Sequence, residues 1–213
     1  MDYFINIHTH TKPKLTNEIA IRNAFLYHLN YTKLSYKVSI GVHPWFAKNQ
    51  NYFDELIKIG SNKNVVAIGE CGLDLVRGQD LKTQEYVFEQ HISAANYLGK
   101  PLILHTVKAY HLLHKFIKQS IVPLILHAYN GSPQQTIELL KFKNIYFSLG
   151  SAILKNNTEY IKTIPIDKLF FETDNKNICI DKIYKHAAKA FNIELLKLQH
   201  LIFKNYSLIF NIS

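Results

Sequence analysis

The chain has 213 residues, 47% of them hydrophobic, which suffices for one sizeable core and makes a single domain over 1–213 the default reading. It holds no apolar run of about 18 residues, so a membrane-spanning helix is not expected. Its two cysteines, Cys71 and Cys179, are too few for a disulfide framework and suit a reducing cytoplasm.

The opening Met1-Asp2-Tyr3-Phe4-Ile5-Asn6 lacks a basic leader and its apolar stretch stops by His8, unlike a signal peptide. The net charge of +9, from 25 basic and 16 acidic residues, favours a phosphate polymer or an anionic surface as partner. Nearly all the basic residues are lysine, however, and the only arginines are Arg22 and Arg77. An AT-rich coding sequence explains that bias as well as a binding face does, so the charge supports a site argument without starting one.

Tyr3 to Ile7 predicts a strand that ends in His8-Thr9-His10. Glu18 to Phe25 partly alternates apolar and polar residues and predicts a second strand, with only Thr11 to Asn17 between them, too short for a crossover helix. Ser35 to Val42 is a third strand, closing on Gly41-Val42-His43-Pro44-Trp45, and a helix over Tyr52 to Ile59 follows. Asn64 to Gly69 is a fourth strand, delivering Glu70-Cys71-Gly72-Leu73-Asp74. The helix Lys82 to Leu98 carries Tyr86, Phe88, Ile92, Ala95 and Leu98 largely on one face and stops at Gly99.

The pentapeptide Pro-Leu-Ile-Leu-His then occurs twice, at 101–105 and 123–127. Each copy reads as a short buried strand that ends in a histidine. Leu112, Leu113, Phe116 and Ile117 lie at helical spacing between them, so the unit is strand–helix–strand with parallel strands. Pro133 to Lys141 is a helix with proline in its first turn. Ile145 to Leu149 and Lys168 to Glu172 are strands seven and eight, and two helices finish the chain. Eight strands alternating mostly with helices predict a compact (β/α)8 TIM-type barrel of the α/β class, with some crossover helices short or missing. An open doubly wound sheet is the alternative.

The carboxyl ends of these strands read His8 and His10, His43, Glu70, His105, His127 and Asp174. All are metal-ligand types, and strand ends are where such folds keep their chemistry. Histidines at i and i+2 of a strand point to one side, so His8 and His10 can reach one ion. One strand-end histidine by itself is more often a hydrogen-bonded structural residue, and Glu70 or Asp174 alone could cap a helix. Six coincidences at one edge are the weaker account. His28, His91, His111, His114, His186 and His200 fall on helices or irregular stretches and read as surface or packing residues. Cys71, facing away from Glu70, is left out of the ligand set.

The ordered blocks His8-Thr-His10, Gly41-Val-His43-Pro44, Gly69-Glu70-Cys-Gly72-Leu-Asp74, Pro101…His105, Leu126-His127-Ala-Tyr-Asn-Gly131 and Phe171-Glu-Thr-Asp174 resemble the TatD-type metal-dependent hydrolases, best known as deoxyribonucleases. The Asn205…Phe210 ending is also similar, so the resemblance covers nearly the whole chain. It implies two divalent ions (Mg, Mn or Zn), with His8, His10 and Asp174 holding one, His105 and His127 the other, and Glu70 shared between them. A pair about 3.5–4 Å apart suits phosphoester hydrolysis by an ion-acidified water, which Asp174 would orient and deprotonate. His43, and more weakly Lys108, Asn130 and Ser132, are the implied substrate contacts, with Trp45, Phe46 and Tyr129 available to stack bases.

Three departures concern the substrate more than the ions. Asn6 stands where the family usually has Asp, Val107 where an arginine is common, and Asn175-Lys176 where Ala-Pro is usual. The expected function is a DNase, acting exonucleolytically on single strands. Alternatives are an amidohydrolase-like esterase, amidase or small-phosphoester hydrolase, and a nucleic-acid-binding subunit of a multi-protein assembly.

Overall fold

A computed structural model describes residues 2–27, 34–155 and 159–211. In chain order the strands and helices are β1 (Phe4–Thr9), β2 (Glu18–Phe25), β3 (Val38–Gly41), α1 (Phe53–Gly60), β4 (Val65–Asp74), α2 (Leu81–Leu98), β5 (Leu102–Val107), α3 (Leu113–Gln119), β6 (Leu124–Leu126), α4 (Pro133–Leu140), β7 (Ile145–Leu149), β8 (Leu169–Phe171), α5 (Ile180–Phe191) and α6 (Leu195–Ile209). Short 3-10 turns connect several of them. The chain divides into two compact units, Met1–Arg22 with His127–Ser213, and Asn23–Leu126, so the division falls inside β2.

In the first unit β1 pairs in parallel with β2, and an isolated parallel bridge joins Thr9 to Asp174, just beyond β8. β8 pairs in parallel with β7. Every residue of β1 is buried, including the polar Asn6, His8 and Thr9. Tyr184 of α5 fixes this strand at its centre: its hydroxyl donates to Ile5 O and accepts from Ile5 N, each at 3.0 Å. At the far end of the unit, the Asn205 amide of α6 donates to Ile166 O at 2.7 Å and Leu169 O at 3.0 Å, tying the last helix to the start of β8.

In the second unit β3, β4, β5 and β6 are parallel neighbours in that order. The two copies of the repeated pentapeptide lie side by side in register, Leu102 opposite Leu124, Ile103 opposite Ile125 and Leu104 opposite Leu126. Their crossover is a 3-10 turn, Tyr110–Leu112, leading into α3, shorter than the continuous helix the periodicity suggests. Helix α2 is closed at both ends, by the Asp80 carboxylate accepting from Thr83 N and by Gly99 in the left-handed region.

The largest departure from the sequence reading is β4. It does not stop at Gly69 but runs on to Asp74, paired with β5 from Ile68 onward except at Glu70, and its register slips between Gly69 and Cys71. Glu70 is the extra residue of that bulge, which takes it out of the ladder and re-aims its side chain.

Candidate active site

Among the described residues, each unit carries a cluster of metal-ligand residues. In the first, donor atoms of His8, His10 and Asp174 lie within 4.8 Å of one another. Asp174 Oδ1 is 3.7 Å from His8 Nε2 and 3.4 Å from His10 Nε2, so the i, i+2 pair does converge on one carboxylate. The backbone sets Asp174 in place: its N–H donates to His8 O at 3.0 Å, and its carbonyl accepts from His10 N at 3.1 Å. Asp174 has φ 51, the left-handed region that Asp and Asn tolerate better than other side chains. His127 belongs to the same unit, its ring 4.5 Å from that of His8.

The segment before Asp174 is clasped by Asn6. Its Oδ1 accepts from Thr173 N at 3.1 Å, while its Nδ2 donates to Thr173 Oγ1 at 2.9 Å and Glu18 Oε1 at 2.8 Å. Glu18 explains why an amide serves at position 6, since a carboxylate there would face another. Asn6→Asp is therefore expected to cost about 2 kcal/mol at pH 7. Urea midpoints of the variant and the wild type measure this.

The second cluster brings His43, Glu70 and His105 together, again with donor atoms within 4.8 Å. Glu70 Oε1 is 2.9 Å from His105 Nδ1 and 3.2 Å from His43 Nε2. Asn23 grips Glu70 from behind, donating to Oε2 at 3.0 Å and accepting from Glu70 N at 3.1 Å. His105 Nε2 faces Asp74 Oδ2 at 3.1 Å, and Trp45 Nε1 donates to the same oxygen at 2.7 Å. Burial pushes the Asp74 carboxyl up, but hydrogen bonds from Trp45, Val76 N, His105 and Arg77 N outweigh it and hold Asp74 below the usual carboxylate range. An ionised Asp74 orients the imidazole and leaves Nδ1 toward Glu70.

His127 is backed in the same way, its Nδ1 3.2 Å from Glu172 Oε1, which also accepts from Ala128 N at 3.0 Å. Both histidines of the repeated pentapeptide thus have a buried carboxylate on one ring nitrogen, the arrangement that fixes metal-binding imidazoles. The donor chemistry of the two clusters, imidazole with carboxylate, fits divalent ions.

Other expected site residues fall differently. His43 stands among the donors of the second cluster. Lys108 and Asn130 are exposed, the former with φ 53 just past β5. Ser132 forms the capping box of α4, its Oγ accepting from Gln135 N at 3.2 Å. Tyr129 is not available to stack a base: its ring is buried against Phe147 and its hydroxyl lies 2.9 Å from Thr136 Oγ1. Trp45 is covered by the Arg77 guanidinium, 3.9 Å from the ring centre. Cys71 is fully buried, and burial beside Glu70 pushes its thiol well above the ordinary value, which suits an inert packing residue.

The match to the family model for TatD-related DNases extends over residues 6–211. The chain belongs to that family. Among similar sequences, an "Uncharacterized metal-dependent hydrolase" of Buchnera aphidicola is 33% identical over 179 residues, 78% of this chain and 66% of the relative. A "Putative deoxyribonuclease TATDN1 homolog" of Enterocytozoon bieneusi is 33% identical over 130 residues, 61% of this chain. That match takes in 47% of the relative, so the chain spans about half the length of this TATDN1 homolog. The crystal structure of a TatD homolog, YJJV of Escherichia coli, superposes with TM-score 0.81 at 18% identity, covering 99% of this chain and 98% of that one. The hydrolase TatD family protein of Entamoeba histolytica gives 0.78 at 17%, covering 98% of each chain. The fold class is accordingly the (β/α)8 barrel expected from the strand count.

Within this TatD-type chain one excluded histidine has a definite role. His91 of α2 is wholly buried, its Nδ1 bonded to Val87 O at 2.7 Å and its Nε2 accepting from Val42 N at 2.9 Å. It thereby anchors the end of β3, one residue before His43. His111, His114 and His200 are exposed and His186 half-buried, while His28 lies outside the described residues. Burial lowers the His91 pKa from 6.5 to about 4. Its contribution to stability is therefore complete above pH 6.5 and is lost as pH falls toward 4, because the unfolded chain takes the proton first. The loss is roughly 3 kcal/mol. A His91→Gln variant, weaker at pH 7, should show a correspondingly shallower fall in urea midpoint between pH 7 and 4.5.

Proposed function

We propose that residues 1–213 act as one metal-dependent hydrolase domain that cleaves phosphodiesters of single-stranded DNA from an end, in a reducing cytoplasm. The observation that carries this reading is the pair of His–carboxylate clusters, with each pentapeptide histidine oriented by a buried carboxylate. Bound divalent ions would lower the pKa of a water and neutralise charge growing on the phosphate oxygens. His8, His10 and Asp174 would hold one ion and Glu70 with His105 a second, with His127 as a further imidazole donor.

Asp174 orients the attacking water and takes its proton. Asn23 holds the Glu70 carboxylate still, and Asp74 does the same for His105. A phosphodiester is favoured over a carboxylic ester by Arg77. Its guanidinium is stacked on Trp45 at the rim of the second cluster, where position 107 offers only valine. No described helix is long and apolar enough to cross a membrane.

The test is release of nucleotides from end-labelled single-stranded DNA with Mg²⁺ or Mn²⁺. Chelator-sensitive release supports the reading. A protein that binds two ions, leaves DNA intact and turns over small esters would replace it with the esterase alternative.

A further inference from the structure

Beside the second cluster, within the same unit, lies a cavity of about 380 Å³ whose walls include Phe25, Tyr27, His43, Phe46, Lys48 and Gln50. We propose that it receives an unpaired nucleobase of the substrate strand. The proposal rests on the phosphodiesterase reading above and specifies how that site selects its substrate.

Three observations point to a base. First, the walls are aromatic and open to a ligand. Phe25 and Phe46 meet edge to face at 5.7 Å, yet Phe46 remains 58% exposed and Tyr27 60% exposed. Clustered exposed rings of this kind mark binding surfaces rather than ordinary surface scatter. Every nucleobase offers a π face to such rings whatever its sequence identity.

Second, the rim is polar without being acidic. Gln50 donates to the Tyr27 hydroxyl at 3.3 Å, Lys48 supplies a cation, and no Asp or Glu is among the described residues that line the cavity. Amide and phenol groups suit the donor and acceptor edge of a base, and the lysine suits the adjoining phosphate. An aliphatic chain would leave that rim with nothing to match.

Third, His43 is shared. Its ring forms part of the cavity wall while its Nε2 lies 3.2 Å from Glu70 Oε1. A nucleotide whose phosphate reaches the Glu70–His105 cluster can thus turn its base into the aromatic cavity. The volume falls at the small-ligand end of binding pockets. Selection for single strands follows because a base must leave its pair and its stack to turn into the cavity, which costs least in an unpaired strand.

Binding can be followed by fluorescence anisotropy with the full chain and Mn²⁺, using two hydrolysis-resistant phosphorothioate eight-mers, oligothymidine and its abasic counterpart. The wild type should bind oligothymidine about tenfold more tightly or better. Phe46→Ala and Phe25→Ala should each erase most of that preference with little change in abasic binding. Phe46→Trp should retain it, and the exposure of Phe46 makes these substitutions compatible with folding. Equal binding of the two oligomers by the wild type, or a preference that survives Phe46→Ala, overturns the assignment. Nucleotide release by the same preparation tests the hydrolase reading separately. Release without base preference removes only the cavity's role, whereas neither release nor binding removes both.

Discussion

Asp174→Asn is expected to slow nucleotide release by about a thousandfold or more while melting within about 1 kcal/mol of the wild type. The two effects separate because the residue does two things through different atoms. Its backbone N–H and carbonyl tie it to His8 and His10, and any side chain leaves those bonds in place. Its carboxylate faces the two imidazoles, and in the proposed mechanism that charge strengthens the hold on an ion and accepts the proton of water. Asparagine keeps the shape and tolerates φ 51, whereas Asp174→Ala should lose roughly a further 1 kcal/mol for entering the left-handed region. Metal analysis should show depletion at one ion per chain, not two. Undiminished release by the asparagine variant would remove Asp174 from the chemistry and leave it as a structural corner.

Most of the clustered histidines and carboxylates were legible in the sequence because they sit near strand ends, which apolar runs mark, Glu70 inside β4 being the exception. His8 and His10 needed only the two-residue period of a strand. β2 and β7 match their expected bounds because apolar patterning and polar flanks agree there. The residues that hold these side chains in place were harder to find. Asn23 looks like any polar residue of a half-buried strand until Glu70 is placed against it. Glu172 carried a usable signal, since it stands two residues before Asp174 beside an apolar run, yet its partner His127 is 45 residues away. His91 could not be told from a packing histidine of a helix without knowing that Val42 N points at it. Long-range partners are a property of the fold and leave no local pattern.

β4 was misread for a related reason. Gly69 and Gly72 read as punctuation, whereas both lie within a continuing strand, each with φ 134. A Cβ on Gly72 would lie 2.2 Å from His105 O, a backbone atom that cannot swing aside as a flexible side chain could. Gly72 is paired with His105 itself, so any relief must move the end of β5. A shift of even about 1 Å there would pull His105 from Glu70 and Asp74, now 2.9 and 3.1 Å away.

Gly72→Ala should therefore cost more than about 4 kcal/mol, combining a positive φ with an unrelieved backbone clash in a buried strand. Thermal melting of the purified variant measures this, and much of it should be recovered as insoluble protein. Any fraction that folds at low temperature should retain ions on His8, His10 and Asp174 while failing to hold one at Glu70 and His105. Normal melting with both ions bound would mean that β5 gives way cheaply at His105. The close approach of these two strands would then not be what positions the second cluster.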